Sequence, residues 1–212
     1  MINLYIDTSS SDVSIACLKD DTLLYSIIRN IPNKHSVYTL SYIKEVLDNS
    51  NIDKKNIDNI YIVNGPGSFT GIRIGLTIAK TYSYLLDKPL IPVSSLKTIA
   101  LSTDKDLILS IIKANSSNYY IGLYDNNYNE IIEEQFINKD NLIEIINKYN
   151  PYIISNEELN INDIKVNKIK LDFSKIINYY KDSKKYNSYE LKPNYLKLPQ
   201  AMENRKWYKK KK

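Results

Sequence analysis

The chain is short of the residues that cross-link and punctuate folds. Its 212 residues include one cysteine, one histidine, one tryptophan and five glycines, and only three of its 29 basic residues are arginine. With Cys17 alone, no disulfide forms within the chain; that fits a reducing compartment, and the cytoplasm is the expected location. Cys17 alternates with apolar neighbours in a strand pattern and is expected in the core. The single His35 excludes a two-histidine metal pair and any Cys–His dyad except one with Cys17. It reads as a capping or surface residue at a helix start, the alternative being a general base. No apolar run approaches the roughly 20 residues needed to span a bilayer. The opening Met1 to Asp7 carries neither the basic nor the apolar region of a leader, so none is expected.

What the chain has in quantity is isoleucine, asparagine, lysine and tyrosine, a bias that follows A- and T-rich coding and does not itself argue for disorder. At this length about two-thirds of the unfolded surface can be buried. The formal net charge is +5, and the segment 205–212 alone carries six positive charges, which leaves the remainder at −1. A body this close to neutral does not read as a nucleic-acid-binding surface. The tail is expected to be solvated. The competing reading, an RNA contact through the tail with Trp207 and Tyr208, would be salt-sensitive and nonspecific.

Hydrophobic periodicity gives one pattern twice. Strands are expected over 2–7, 12–19 and 22–29, a helix over 36–49, a strand over 60–63 and a helix over 72–86. Strands then recur over 107–113, 119–124 and 130–136, followed by a helix over 140–149, a strand over 152–155 and a helix over 173–181. Asp20-Asp21 and Asp125-Asn126-Asn127 supply turns at matching places. A repeated βββαβα unit is the plan of the ribonuclease H-like fold of actin, sugar kinases and the Hsp70 ATPase, an α/β architecture with two lobes. Three segments are expected: an N-terminal lobe over 1–100, a degenerate C-terminal lobe over 101–190, and a closing segment with the basic tail over 191–212.

Four of the five glycines fall in one string, Gly65-Pro66-Gly67-Ser68-Phe69-Thr70-Gly71-Ile72-Arg73-Ile74-Gly75. Gly65 and Gly67 flank a proline after a strand, where a positive φ or a close turn is expected. Gly67, Gly71, Gly75 and Ala79 recur every four residues, a bare stripe that lets another backbone approach. The plain reading is an internal strand-to-helix junction. A Walker A loop fails because Ile72 follows Gly71, and the dinucleotide fingerprint fails at Thr70. Gly65, Gly67, Ser68, Thr70, Gly71 and Arg73 still form a candidate anion site at a helix start. Arg73 lies where the macrodipole disfavours a cation, so an acidic or phosphate partner is expected for it.

That string resembles the signature of the TsaB (YeaZ) family. Ile6-Asp7-Thr8-Ser9, His35-Ser36 with Leu40 and Ile43, Pro92-Val93-Ser94-Ser95-Leu96, and Pro193-x-Tyr195-Leu196 with Trp207 resemble its first strand end, its first helix, the segment after its second helix and its C-terminal closure. The resemblance implies a subunit without its own active site that binds the transferase TsaD, works with TsaE, and supports threonylcarbamoylation of adenosine in tRNA. It implies no cofactor bound to this chain alone, with ATP and magnesium used by the complex, tRNA met through the complex, and a homodimer as an alternative pairing. Where the family often carries Asp-Ala-Arg, this chain has Lys113-Ala114-Asn115. Nucleotide-handling relatives use two glycine-containing phosphate hairpins; the second would fall near 113–118, which has neither Asp nor Gly. Asp7 in the first reads as an orienter of metal-bound water or as the cap of a strand turn. The competing function is therefore a degenerate ATP-binding phosphotransferase of the same fold, while a peptidase finds no machinery.

The expected partner face joins both helices of the first half. Val37, Leu40, Ile43 and Leu47 are assigned inward, leaving Tyr38, Tyr42 and Val46 on a second face. In the next helix Ile72, Leu76, Ala79 and Ser83 form one row, with Ile74, Ile78, Tyr82 and Leu85 on the remainder. The candidate interface is Tyr38, Tyr42, Val46, Gly67, Gly71, Gly75, Ile78 and Tyr82; the alternative is that Tyr38 and Tyr42 only cover the core.

Overall fold

The computed structural model of the chain describes residues 1–161 and 164–197. The expectations for the basic tail, Trp207 and Tyr208 lie outside the described residues. Three strands open the chain, β1 (Ile2–Asp7), β2 (Asp12–Lys19) and β3 (Thr22–Asn30). They are followed by α1 (His35–Asn49), β4 (Asn59–Gly65), α2 (Phe69–Leu86), β5 (Leu90–Ser94) and a short α3 (Ser95–Ala100). The second half runs β6 (Leu107–Lys113), β7 (Asn118–Asp125), β8 (Glu130–Asn138), α4 (Lys139–Tyr149), β9 (Tyr152–Ser155), β10 (Asn167–Lys168) and α5 (Phe173–Tyr180). One sheet has the order β3-β2-β1-β4-β5 and the other, read the same way, β8-β7-β6-β9-β10. In each, the first three strands are antiparallel and the rest parallel. The chain has the duplicated ribonuclease H-like fold.

The turns form where their chemistry allows. Asp20 takes a positive φ of 55° in the two-residue turn between β2 and β3, a conformation short polar side chains tolerate. Asp125 Oδ1 accepts from the amides of Asn127 and Asn129, both at 2.8 Å, and closes the matching turn.

Each half lends its last helix to the other. One face of the first sheet is covered by α1 and α2 around Leu4, Ile6, Ile43, Ile62 and Ile72. Its other face is covered by α5, whose Phe173, Ile176 and Ile177 meet Tyr5, Ala16 and Leu18. Conversely, α4 covers one face of the second sheet through Leu142, while α3 covers the other, with Leu96, Ile99 and Ala100 against Ile108, Tyr120 and Ile154. The two sheets are thus joined by exchanged apolar cover as well as by chain connections. Among the described residues, no helix is long and apolar enough to cross a membrane.

The face that α1 buries differs from the sequence expectation. His35, Thr39, Ile43, Val46 and Leu47 are buried, while Val37 and Leu40 are 67% and 52% exposed. The inward row includes two polar residues because they are satisfied locally. Thr39 Oγ1 donates to the His35 carbonyl at 2.7 Å, and His35 Nε2 donates to the Ser10 carbonyl at 2.9 Å. His35 is therefore a buried tie between α1 and the β1–β2 loop rather than a surface residue.

Candidate functional site

The glycine string folds as the exit of β4 into α2. Gly65 and Gly67 hold φ values of +128° and +155°, and the Gly65–Pro66 peptide is cis. A side chain at Gly65 would also run into the Asn194 carbonyl. The Ser68 amide donates to the Ser9 carbonyl at 2.7 Å, and its hydroxyl caps α2 by accepting from the Gly71 amide at 3.2 Å. Thr70 is exposed on the same first turn.

The stripe of small residues looks inward. A Cβ on Gly67 would meet Ser9, one on Gly71 the Thr8 carbonyl, and one on Gly75 the Thr8 hydroxyl and Ile62. Thr8 Oγ1 donates to the Gly71 carbonyl at 2.7 Å. The backbone that approaches the stripe is thus the protein's own β1–β2 hairpin. Gly67, Gly71 and Gly75 serve an internal joint, and their place in the candidate interface is corrected accordingly. Val46 is corrected too, since it is fully buried in the core beneath α1.

The remaining interface residues stay near the surface. Tyr38 and Tyr42 stack with ring centres 5.9 Å apart. Glu45, on the same stripe of α1, reaches Arg29 of β3 at 3.6 Å, so this flank leans toward the sheet edge. Ile78 and Tyr82 are half-buried on α2, packed against the core below α1. Val37 and Leu40 on α1, expected inward from the sequence, lie outside, and Tyr84 and Leu85 on α2 are 63% and 71% exposed.

Among the described residues, the side chain that Arg73 meets is a tyrosine and not a carboxylate. Because α2 begins at Phe69, Arg73 sits beyond its first turn, where the terminal dipole has faded. Its Nε donates to Tyr195 Oη at 2.8 Å. Tyr195 lies against Phe69, ring centres 4.5 Å apart, and the Asn194 amide donates to the Asn64 carbonyl at 2.8 Å. A C-terminal strap thus crosses the outside of the glycine loop.

A cleft of about 640 Å³ opens between the sheets, lined by Ser9 to Ser11, His35, Gly67 to Gly71, Ile112 to Asn115, Glu157 and Lys197. Asp7 lies beneath it, buried, with Oδ1 accepting from the Ser9 amide at 2.8 Å. Burial pushes its carboxyl above the usual carboxylate range, against the pull of the Ser9 hydrogen bonds. Glu157 is pushed up in the same way, by burial first and then by Asp12. The second hairpin, between β6 and β7, is closed by its own side chain. Asn115 Oδ1 already accepts from the amides of Ser117 and Asn118 and from Asn118 Nδ2, each at 3.0 Å, so the turn is closed on itself. Among the described residues, no group of three or more His, Cys, Asp or Glu is placed to hold a metal ion.

One cluster was missed by sequence reasoning. Lys97 is buried on α3, with Nζ donating to the Tyr128 carbonyl at 2.6 Å and standing 4.1 Å over the Tyr124 ring. Beside it Glu134 accepts from Ser94 and Tyr124. The available signal was Gly122, the one glycine outside the string. A Cβ there would collide with the Tyr124 ring, so the position makes room for this network.

Residues 29–204 match the family described as "TsaD: tRNA N6-adenosine threonylcarbamoyltransferase". A "tRNA threonylcarbamoyladenosine biosynthesis protein TsaB" of Bacillus subtilis is 35% identical over 145 residues, covering 68% of this chain and 62% of that protein. The chain thus spans about three-fifths of this curated relative's length. A tRNA N6-adenosine threonylcarbamoyltransferase of Thermodesulfovibrio yellowstonii is 30% identical over 112 residues, 46% of this chain and 34% of that protein. Among solved structures, YeaZ from Pseudomonas aeruginosa superposes with a TM-score of 0.73 at 19% identity, covering 92% of this chain and 99% of that one, a likeness of fold.

Proposed function

The chain belongs to the TsaB/YeaZ family, and on that footing we propose that it is a non-catalytic subunit that binds TsaD and supports threonylcarbamoylation of adenosine in tRNA. TsaE and tRNA join through the assembled complex, and ATP and magnesium are used there rather than by this chain alone. Self-pairing through the same surface competes with TsaD. The observation that carries this reading is the outer surface of α1 and α2, where Val37, Tyr38, Leu40 and Leu85 stand exposed on two helices already packed on their sheet. Large apolar and aromatic side chains on a supported helical surface suit a protein interface. Against the phosphotransferase alternative stand the self-closed Asn115 turn and the engagement of Asp7 by the Ser9 amide.

The deciding experiment is co-purification with tagged TsaD from the same cell, comparing the wild type with a Leu40→Glu, Leu85→Glu variant. The wild type is expected to be retained and the variant lost, with both folded by circular dichroism. Equal retention would place the interface elsewhere; no retention of the wild type would end the reading.

A further inference from the structure

Glu134 stands on β8 in the second sheet, yet it holds the start of α3 at the edge of the first. Its Oε1 accepts one hydrogen bond from Ser94 Oγ and another from Tyr124 Oη at 2.9 Å. Ser94 is the hinge of this arrangement. It ends β5 as the register partner of Gly65, and its Oγ accepts from the Lys97 amide at 3.3 Å as the cap of α3. The next residue, Ser95, is buried and donates its hydroxyl to the Pro66 carbonyl, between the two positive-φ glycines of the loop. Contacts therefore run without a break from a carboxylate on one sheet to the glycine loop of the other.

The support behind Glu134 is built with some care. Tyr124 is fully buried and lies flat because Gly122 has no side chain. Across its ring stands Lys97 Nζ, itself anchored to the carbonyl of Tyr128, whose backbone is held at a φ of 62°. A bulky residue at positive φ persists only where its surroundings over-determine it.

We propose that Glu134 is a positioning residue for the glycine loop. Through Ser94 and Ser95 it fixes the path of Gly65 to Gly67 and the start of α2, and so sets the affinity of the α1–α2 surface for its protein partner. The partner half of this statement rests on the function proposed above; the loop half does not. A hydroxyl pinned at both ends has one orientation. With the carboxylate removed, Ser94 is free to turn, the first turn of α3 loosens, and Ser95 loses its aim at Pro66.

The test uses the full chain with Glu134→Ala, Glu134→Gln, Ser95→Ala and the Glu134→Ala, Ser95→Ala double variant. Amide exchange across residues 65–72 and affinity for TsaD are read together. Glu134→Ala is expected to speed loop exchange and weaken TsaD binding by about tenfold each, the effect of losing the Ser94 hydrogen bond, the one of its two that leads to the loop. Glu134→Gln, which keeps an acceptor, restores both. The double variant is no worse than the worse single variant, as expected for residues on one path. Loop exchange that follows global stability alone, additive effects in the double variant, or a loosened loop with unchanged TsaD affinity would each overturn the proposal. Should Glu134→Ala not fold, Ser95→Ala alone decides, since it must loosen the same amides. A wild type that does not bind TsaD would sink the proposed function, while the exchange result still judges the loop.

Discussion

Arg73 donates from Nε to the Tyr195 phenol oxygen at 2.8 Å, and its guanidinium carbon stands 5.8 Å from the centre of the same ring. The two residues are 122 positions apart, and together with Phe69 they clip the C-terminal strap over the start of α2. Tyr195→Phe removes only the hydrogen bond and is expected to cost under about 1 kcal/mol, whereas Tyr195→Ala also loses the ring contact and should cost about 1–2 kcal/mol. Denaturant unfolding of the two variants measures this; equal losses would mean that the ring contact with Phe69 contributes nothing.

Gly71→Ala drives a methyl group at the Thr8 carbonyl, a backbone atom that cannot step aside without moving β1. Overpacking of this kind costs about 1–3 kcal/mol. Ala79, further along the row, already carries the methyl that Gly71 lacks and is buried without conflict. A Gly71→Ala protein with wild-type stability would mean that the joint between the hairpin and α2 is looser than its geometry.

Much of the fold was legible because the two periods are clean. β1, β2, β6 and β9 are apolar runs, and α2 shows its buried row of Ile72, Leu76, Ala79 and Ser83 directly. β5 was not read because it is five residues long with Pro92 inside it, which the strand accommodates near the sheet edge. α3 has no exposed face, since every one of its residues, Ser95, Lys97 and Thr98 included, is buried, so it has no period to find. The inward face of α1 was misjudged because its row includes His35 and Thr39, whose polarity is satisfied by partners no sequence pattern displays. Of the site, the positive φ at Gly65 and Gly67 was legible; that the glycine stripe meets the chain's own hairpin was not, because any close-approaching backbone gives the same spacing.

Lys97→Met keeps the stem's volume and removes the ammonium group. It leaves the Tyr128 carbonyl without its donor at 2.6 Å and the Tyr124 face without its cation. The ion pair with Glu130, at 3.7 Å to a partly exposed carboxylate, adds little. A loss of about 1–3 kcal/mol is expected from the half-buried carbonyl left without its charged donor. Thermal or denaturant melts that show Lys97→Met to be as stable as the wild type would mean that the burial cost of the lysine cancels what its partners return.

Asp7 gives the molecule a pH dependence whose sign follows from its burial. Burial raises its carboxyl most, the Ser9 hydrogen bonds lower it, Asp12 raises it and His35 lowers it, and the net direction is upward. The folded protein therefore holds this proton more tightly than the unfolded chain, in which an aspartate titrates near about 3.9. The stability Asp7 contributes is complete below that unfolded value and is lost as pH rises through the higher folded value. Asn at this position keeps an oxygen for the Ser9 amide and never ionises. The Tm of Asp7→Asn relative to wild type should thus climb as pH goes from about 4 to about 8. Glu134, raised in the same direction, leaves a residual slope in both proteins that cancels in the difference, whereas Glu157, raised in part by Asp7, is eased slightly in the variant. Melting curves across that range decide it. Parallel profiles for the two proteins would show that Asp7 ionises inside the fold as readily as outside it, and that the hydrogen bonds from Ser9 outweigh its burial.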